Sequence, residues 1–438
     1  MKRINIKMKD ILKKIIAKIL ELEARAILKK YQPRVIAVTG SVGKTSTKDA
    51  IYSVISKSFY ARKSEKSFNS DIGVPLTILG VSNAWSNPLK WLENIWRGFS
   101  LIIIKKAYPE WLVLEVGADR PGDIKKIAEW LKPNVVVVTK FANVPVHIEY
   151  FKSKDEVVAE KGNLVQALKH DGTLILNSDD VDVFSFKNKT VNSILTYGLL
   201  GNAEVRATNY SIYYSEIDNE PFGVHFKVEY SGNCLPVKII GTLGVNNIYA
   251  ALAALAVGIS LGLNLVEATE NLSRFVPPKG RMNLIKGLKK TTIIDDTYNS
   301  SPVALHSALE TIRGIKTKNR RIAVLGDMLE LGRHTADQHK TAGILAATAC
   351  DILVTVGLRS RVLAESAIDA GLDEDSVLQF DSSTEAGQYL KEIIKEGDII
   401  LVKGSQSMRM EKVVKEIMAE PSRAAELLVR QDEEWLAR

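Results

Sequence analysis

The run Arg34-Val35-Ile36-Ala37-Val38-Thr39-Gly40-Ser41-Val42-Gly43-Lys44-Thr45-Ser46-Thr47 decides how the rest of the chain is read. Its first six residues are apolar or β-branched enough for a short buried strand, and a helix is expected over 45–57. Between them, glycines free the backbone N–H groups to close around phosphate oxygens, and the helix N-terminus favours the anion. Lys44 would reach the outer phosphates of ATP and Thr45 would ligate Mg²⁺, with Thr39, Gly40, Ser41, Val42, Gly43 and Ser46 completing the loop. The general phosphate-loop pattern asks for glycine five residues before Gly43, where this chain has Val38; the shorter T-G-x-x-G-K-T form is narrower. The bland alternative, a Gly-rich turn with an accidental lysine, does not account for strand, turn and helix in succession.

Working outward, further buried strands are expected at 111–117 (WLVLEVG), 134–139 (NVVVVT) and 173–177 (TLILN), with helices over 122–131 and 153–169 between them. Strands alternating with helices imply a mostly parallel sheet. Residues 203–240 alternate polar and apolar and predict an antiparallel insertion or edge, followed by an Ala-rich helix over 245–262. Pro277-Pro278-Lys279-Gly280 reads as a linker. Alternation then restarts with 291–296 (TTIIDD), 321–327 (RIAVLGD), 351–357 (DILVTVG) and 398–404 (DIILVKG). The expected fold class is α/β: a central P-loop-type parallel-sheet ATPase domain over 34–276, then a Rossmann-like α/β domain over 277–420. A short N-terminal amphipathic basic helix (1–33) precedes them and a helical tail (421–438) follows. Ligands gather at the carboxyl ends of such strands, which singles out Asp295-Asp296, Gly326-Asp327 and Lys403-Gly404.

Composition sets bounds on function. With 438 residues, 46% apolar and 25% charged, the chain has material for real cores and no disordered or low-complexity signature. Cys234 and Cys350 lie far apart and form no C-x-x-C, which argues against a disulfide framework or structural zinc site and suits a reducing cytoplasm. The net charge of +8 is concentrated at the start of the chain; a nucleic-acid role rests on net charge alone and is set aside. In residues 8–30, Met8, Leu12, Ile15, Ile19, Leu22 and Ala26 recur at helical spacing with lysines on the other face. Packing on the body of the protein is the favoured reading and a membrane-surface helix the alternative. Residues 84–112 hold four of the six tryptophans among lysines, which suits a membrane interface or a clasp on the N-terminal helix. Expected localisation is cytoplasmic, with a peripheral contact at the inner membrane face through 1–30 and 84–112 as the extension of that reading.

TGSVGKTST after an apolar strand resembles the nucleotide loop of the Mur ligases, and other segments fall in that family's order. Phe68-Asn69-Ser70-Asp71-Ile72-Gly73-Val74-Pro75 resembles its asparagines before IGVP, and Leu114-Glu115-Val116-Gly117-Ala118 its E-x-G-A strand end. His147 in HIEYF and Lys161 in AEKGNL resemble the metal-site His and Lys. GVNNIYAALAA at 244–254 is similar to the H-N-x-x-N-A helix start, with Asn246 where the family usually has histidine. Gly280-Arg281 and Asp295-Asp296-Thr297-Tyr298-Asn299-Ser300-Ser301-Pro302 resemble the entry to the third domain. That last segment, with VLGDMLELG at 324–332 and LVKGSQSMRMEKVV at 401–414, is most similar to the branch adding D-alanyl-D-alanine to a UDP-muramoyl tripeptide. The resemblance covers about residues 34–415.

It implies an ATP-dependent ligase acting through an acyl phosphate, in peptidoglycan precursor synthesis and as a monomer. The implied catalytic residues are Lys44, Glu115, His147, Lys161 and Arg281. Two Mg²⁺ ions would be held by Thr45, Glu115, His147 and a Lys161 carbamylated by CO₂; without the resemblance, Lys161 reads as a surface helix lysine. Asn247, Arg281, Asp296, Tyr298 and Asn299 would contact the nucleotide, and Lys403, Ser405 and Arg409 the carboxylate of the incoming dipeptide. Asn247 alone reads equally as a helix cap, and Arg281 with Asp296 as an inter-domain salt bridge. Full-length family members carry an N-terminal domain for the uridine-diphosphate sugar, whereas about 33 residues precede the strand here. Two alternatives therefore stay open: the same chemistry on a different or lipid-linked carboxylate, and a non-catalytic ATP-binding scaffold.

Overall fold

The structure, a computed structural model, describes residues 2–85, 87–145, 147–217 and 219–436, with side chains from residue 12 onward. The chain opens with α1 (Lys2–Tyr31), β1 (Arg34–Thr39), α2 (Lys44–Ile55), β2 (Ala61–Lys63), α3 (Gly73–Leu79), α4 (Pro88–Ile103) and β3 (Trp111–Glu115). It continues through α5 (Asp123–Leu131), β4 (Val135–Val138), α6 (Lys154–Gln166), β5 (Thr173–Asn177), α7 (Val181–Phe184) and β6 (Ser193–Gly198). The meander β7 (Val205–Tyr214), β8 (Pro221–Tyr230) and β9 (Asn233–Ile240) leads to α8 (Val245–Ser260) and α9 (Leu265–Leu272).

These strands form one sheet in the order β2-β3-β1-β4-β5-β6-β7-β8-β9, parallel as far as the start of β7 and antiparallel beyond it. Both expectations, a parallel sheet and an antiparallel edge, hold. Side chains alternate across a strand, so β1 sends Ile36 and Val38 to the layer of α2 and α8, and Val35 and Ala37 to the layer of α1, α3, α5 and α6. A strand covered on both faces has no polar side, hence its unbroken apolar reading. Residues 250–257 of α8 are all buried, as a helix apolar on every side must be.

The second sheet is built from β10 (Asn283–Lys286), β11 (Thr292–Asp296), α10 (Pro302–Arg313), β12 (Arg321–Gly326), α11 (Thr335–Ala349), β13 (Ile352–Val356), α12 (Ser360–Asp369), β14 (Val377–Phe380), α13 (Ser383–Ile393), β15 (Ile399–Lys403) and α14 (Glu411–Ile417). Its order is β10-β11-β15-β12-β13-β14, with only β10 antiparallel among the described strands. Helices α10, α11 and α12 cover one face, and α13 and α14 the other. The tail is not a continuous helix: α15 (Ala424–Leu427) and α16 (Glu433–Leu436) are single turns. Leu428 is buried, and Arg430 takes a left-handed φ of 57° so that its guanidinium reaches Glu411 (2.9 Å) and the Thr297 carbonyl (3.1 Å). That turn stops helical propagation.

Helix α1 packs on α3 and α4. Leu20, Ala24 and Ile27 are fully buried, Lys30 donates to the carbonyls of Leu101 and Ile102, and Tyr31 stacks on Tyr108 at 4.6 Å. The buried stripe is therefore not the expected one. Leu12, Ile15 and Leu22 are half or more exposed, Ile19 and Ala26 are half-buried, and the Met8 side chain lies outside the described residues. The helix carries two apolar stripes, and the second faces solvent. No helix among the described residues is long and apolar enough to cross a membrane.

Candidate active site

The loop after β1 is pinned to the end of β4. Ser41 N–H donates to the Lys140 carbonyl (2.7 Å), and Thr139 Oγ1 donates to the Val42 carbonyl (2.7 Å). This approach requires Gly40: it sits at φ 141°, and a Cβ there would fall 1.9 Å from Thr139 Oγ1. Gly43, at φ 84°, then starts α2. Lys44 Nζ donates to the Gly40 carbonyl at 3.0 Å, curling over the loop. Its pKa is lowered by burial and further by Arg281, against opposing pulls from Glu115 and Asp119. The hydroxyls of Thr39 and Ser41 are buried without a hydrogen-bond partner, donors left for a ligand at the loop.

An oxygen cluster lies beside the loop. The parallel register sets Val38 of β1 against Glu115 of β3, so the Glu115 carboxylate, 2% exposed, ends next to the phosphate turn. It accepts from Thr45 Oγ1 (2.9 Å) and Asn69 Nδ2 (3.2 Å), while Thr45 Oγ1 also meets Ser67 Oγ at 2.7 Å. Threonine and carboxylate oxygens are hard donors of the kind Mg²⁺ takes. Among the described residues, no three His, Cys, Asp or Glu side chains gather tightly enough to hold a metal by themselves.

Lys161 is buried on α6, and its pKa is lowered to about 7, first by burial and then by Lys44. Its neighbour Glu160 is occupied elsewhere, accepting the N–H groups of Ile124 (2.7 Å) and Lys125 (3.1 Å) at the start of α5. Among the described residues, no carboxylate lies within ion-pair distance of Lys161. His147, at a left-handed φ of 68°, pairs through Nδ1 with Glu330 of the second sheet's body (2.9 Å) and through Nε2 with Asp119 (3.5 Å). The structure thus brings Lys44, Thr45 and Glu115 into one hydrogen-bonded group, sets Lys161 within electrostatic reach of Lys44, and turns His147 toward two other acids.

The second body contributes from across the cleft. Arg281 lies 4.2 Å over the Tyr298 ring, close enough to Lys44 and Lys403 to depress both. Asp296 is buried in an ion pair with Lys403 (2.6 Å), whose Nζ also donates to the Asn299 carbonyl (2.8 Å); Asn299 Oδ1 accepts from Ser300 N–H (2.9 Å). The Asn247 amide donates to Thr242 Oγ1 and the Leu243 carbonyl, both at 2.8 Å, tying the turn before α8 rather than capping the helix as an acceptor. The small cavity beside the loop is lined instead by Asn246, Tyr249, Asn177, Thr139, Val42 and Gly43. Ser405 Oγ accepts from Leu329 N–H (2.9 Å), and Arg409 pairs with Glu411 and stacks on Trp435.

Residues 38–90 and 93–258 match the family pattern described as the Mur ligase middle domain, and residues 280–406 match the Mur ligase glutamate ligase domain. The chain belongs to the Mur ligase family. It is 29% identical over 402 residues to the UDP-N-acetylmuramoyl-tripeptide–D-alanyl-D-alanine ligase of Bacillus subtilis (strain 168), covering 91% of this chain and 79% of that one. In fold it is similar to MurF of Thermotoga maritima in complex with ADP (TM-score 0.73, 23% identity, 92% of this chain and 83% of that one). It is similar in the same way to MurF of Acinetobacter baumannii (TM-score 0.73, 23% identity, 90% and 79%).

In this Mur ligase, sequence reasoning passed over Asp119, which touches His147 and acts on both Lys44 and Lys161. Its place four residues past Glu115, just beyond the strand end, was the available signal. Glu330 had no such signal, because its partner lies in the other body. Asn246 and Tyr249 become lining residues only once α8 is docked beside the loop.

Proposed function

We propose that this Mur ligase is an ATP-dependent amide-bond ligase that joins D-alanyl-D-alanine to a UDP-muramoyl tripeptide. The likeness to relatives carrying that activity in their names, over about nine-tenths of this chain, supports the choice of substrates. The chemistry is carried by one observation: Thr45 and Glu115 in hydrogen-bond contact at the phosphate loop, with a buried Lys161 within electrostatic reach of Lys44. ATP would supply the phosphoryl group that converts the tripeptide carboxylate to an acyl phosphate, and Mg²⁺ would neutralise charge during that transfer.

The chain's own residues would do the positioning. Lys44 and the loop N–H groups hold the outer phosphates, and Thr45 and Glu115 offer oxygens to a cation. A neutral Lys161 amine is the form that adds CO₂, and its carbamate would be an anionic ligand in place of a cation. Arg281, over the Tyr298 ring, would present its guanidinium to charge developing near Lys44. The incoming amine attacks the acyl carbon, and phosphate leaves from the tetrahedral intermediate with the electron pair of the broken C–O bond. Asp119 and Glu330 orient His147.

The test is incubation of the full chain with Mg·ATP, bicarbonate, UDP-muramoyl tripeptide and D-alanyl-D-alanine, reading product mass and released phosphate together. A pentapeptide mass in step with phosphate is the expected result. Intact ATP binding with no product would overturn the assignment of substrates.

A further inference from the structure

We infer that α1 and α4 together form a surface that docks on an anionic phospholipid bilayer, lying in the plane of the interface. This inference is independent of the proposed reaction. Helix α4 buries Asn94 and Gly98 against the body and leaves Leu89, Leu92, Trp96, Phe99 and Ile103 exposed. Their spacing of three, four, three and four residues places all five on a single face of the helix. The exposures are large, 64% for Leu92, 67% for Trp96 and 63% for Ile103, and the Trp96 and Phe99 rings lie 5.9 Å apart. On α1, packed against α4, Leu12, Ile15 and Leu22 repeat the pattern on the face turned away from the body. Exposed large apolar side chains are normal when scattered, but a contiguous stripe marks a contact surface.

Charge selects the partner. Residues 1–33 hold ten Lys and Arg against three Asp and Glu, which is nearly all of the chain's net +8. Lys13, Lys14 and Lys18 on α1 and Lys105 and Lys106 after α4 are exposed beside the apolar stripes. Apolar and aromatic residues on one side with lysines flanking them is the composition of an interfacial helix, and each basic residue near an anionic surface strengthens the attachment. A second copy of the same chain would bring two basic surfaces together, which opposes self-association through this face. No helix among the described residues is long and apolar enough to cross, so the docking is in the plane of the interface rather than through it.

The full chain should be sedimented with phosphatidylcholine vesicles and with vesicles in which about a third of the lipid is phosphatidylglycerol. The expected result is at least a ~10-fold higher bound fraction on the anionic vesicles, falling steeply with added salt. The double substitution Leu92→Glu, Trp96→Glu changes only exposed positions and should lower binding about tenfold with an unchanged melting temperature. In the unaltered chain, lipids brominated just below the headgroups should quench tryptophan fluorescence. Equal binding to both vesicle types, absence of quenching, or a dimer in solution that the double substitution converts to monomer would each overturn the inference.

Discussion

At the scale of single residues, Lys161 couples stability to chemistry. Burial lowers its pKa from the ordinary 10.5 to about 7, so between those values the unfolded chain binds a proton that the folded chain does not. Stability is therefore lost as pH falls from 10.5 toward 7, and the loss levels off below that. Lys161→Met removes the penalty, and it should raise stability by about 1–3 kcal/mol at pH 6, with the gain vanishing toward pH 10. The same variant should lose at least ~100-fold in ligation, because a thioether can neither add CO₂ nor ligate a hard cation. Denaturant melts across pH, paired with the product assay, check both; a gain over the parent no larger at pH 6 than at pH 10 would show that the fold leaves the Lys161 pKa at its ordinary value. Gly40 makes a sharper steric prediction. Gly40→Ala adds a Cβ 1.9 Å from Thr139 Oγ1 at a φ of 141°, so the loop must leave β4. ATP affinity should fall by ~100-fold or more in a titration, whereas Gly122→Ala, a positive-φ glycine with nothing within 4 Å, should leave it within a few-fold.

Among the elements, the seam between α1 and α4 holds a buried carboxyl. The Glu23 carboxyl is 7% exposed, one of its oxygens lacks a hydrogen-bond partner, and it packs where a Cβ on Gly98 would come within 2.3 Å. Burial raises its pKa from the ordinary 4.5 to about 7, so the cost of ionising it is absent below pH 4.5, grows as pH rises from there to about 7, and levels off above. Glu23→Gln should stabilise the protein by about 1–2 kcal/mol at pH 8 and hardly at all at pH 4.5, as thermal melts at the two pH values would show. Equal effects at both would mean that the carboxylate finds solvent in the native state. This seam also shows why the sequence left part of the fold unread. Helix α1 carries one stripe through Leu12, Ile15 and Leu22 and another through Leu20, Ala24 and Ile27, and periodicity cannot say which meets the body. The strands were legible because burial on both faces leaves continuous apolar runs, and Lys44, Thr45 and Glu115 because the phosphate turn is local. Asn246 and Glu330 were not, since each acquires its role only through contacts between distant segments, and Asp119 offered only its place just past the strand end.

At the scale of the whole molecule, two kinds of contact hold the bodies together, and they predict different outcomes. One is apolar: a single buried cluster runs from α8 into α10 and α11. The other is polar and spans the cleft at two points. His147 meets Glu330 at 2.9 Å, holding that carboxyl below its usual range, and Lys66 meets Asp432 of the tail at 2.7 Å. Half-exposed pairs of this kind contribute about 0–1 kcal/mol each, so they are poor sources of stability. They join the bodies in the placement that sets Arg281 within electrostatic reach of Lys44, and a tie that selects that placement would act on the cleft more than on stability. The double substitution Glu330→Gln, Asp432→Asn should therefore leave the melting temperature nearly unchanged while increasing the radius of gyration in small-angle scattering and raising KM for ATP several-fold. The effect should fade in the parent protein at high salt, which screens the same pairs. If scattering and KM both stay at the parent values, the apolar seam between α8 and α10 fixes the cleft alone, and the polar ties follow its geometry without setting it.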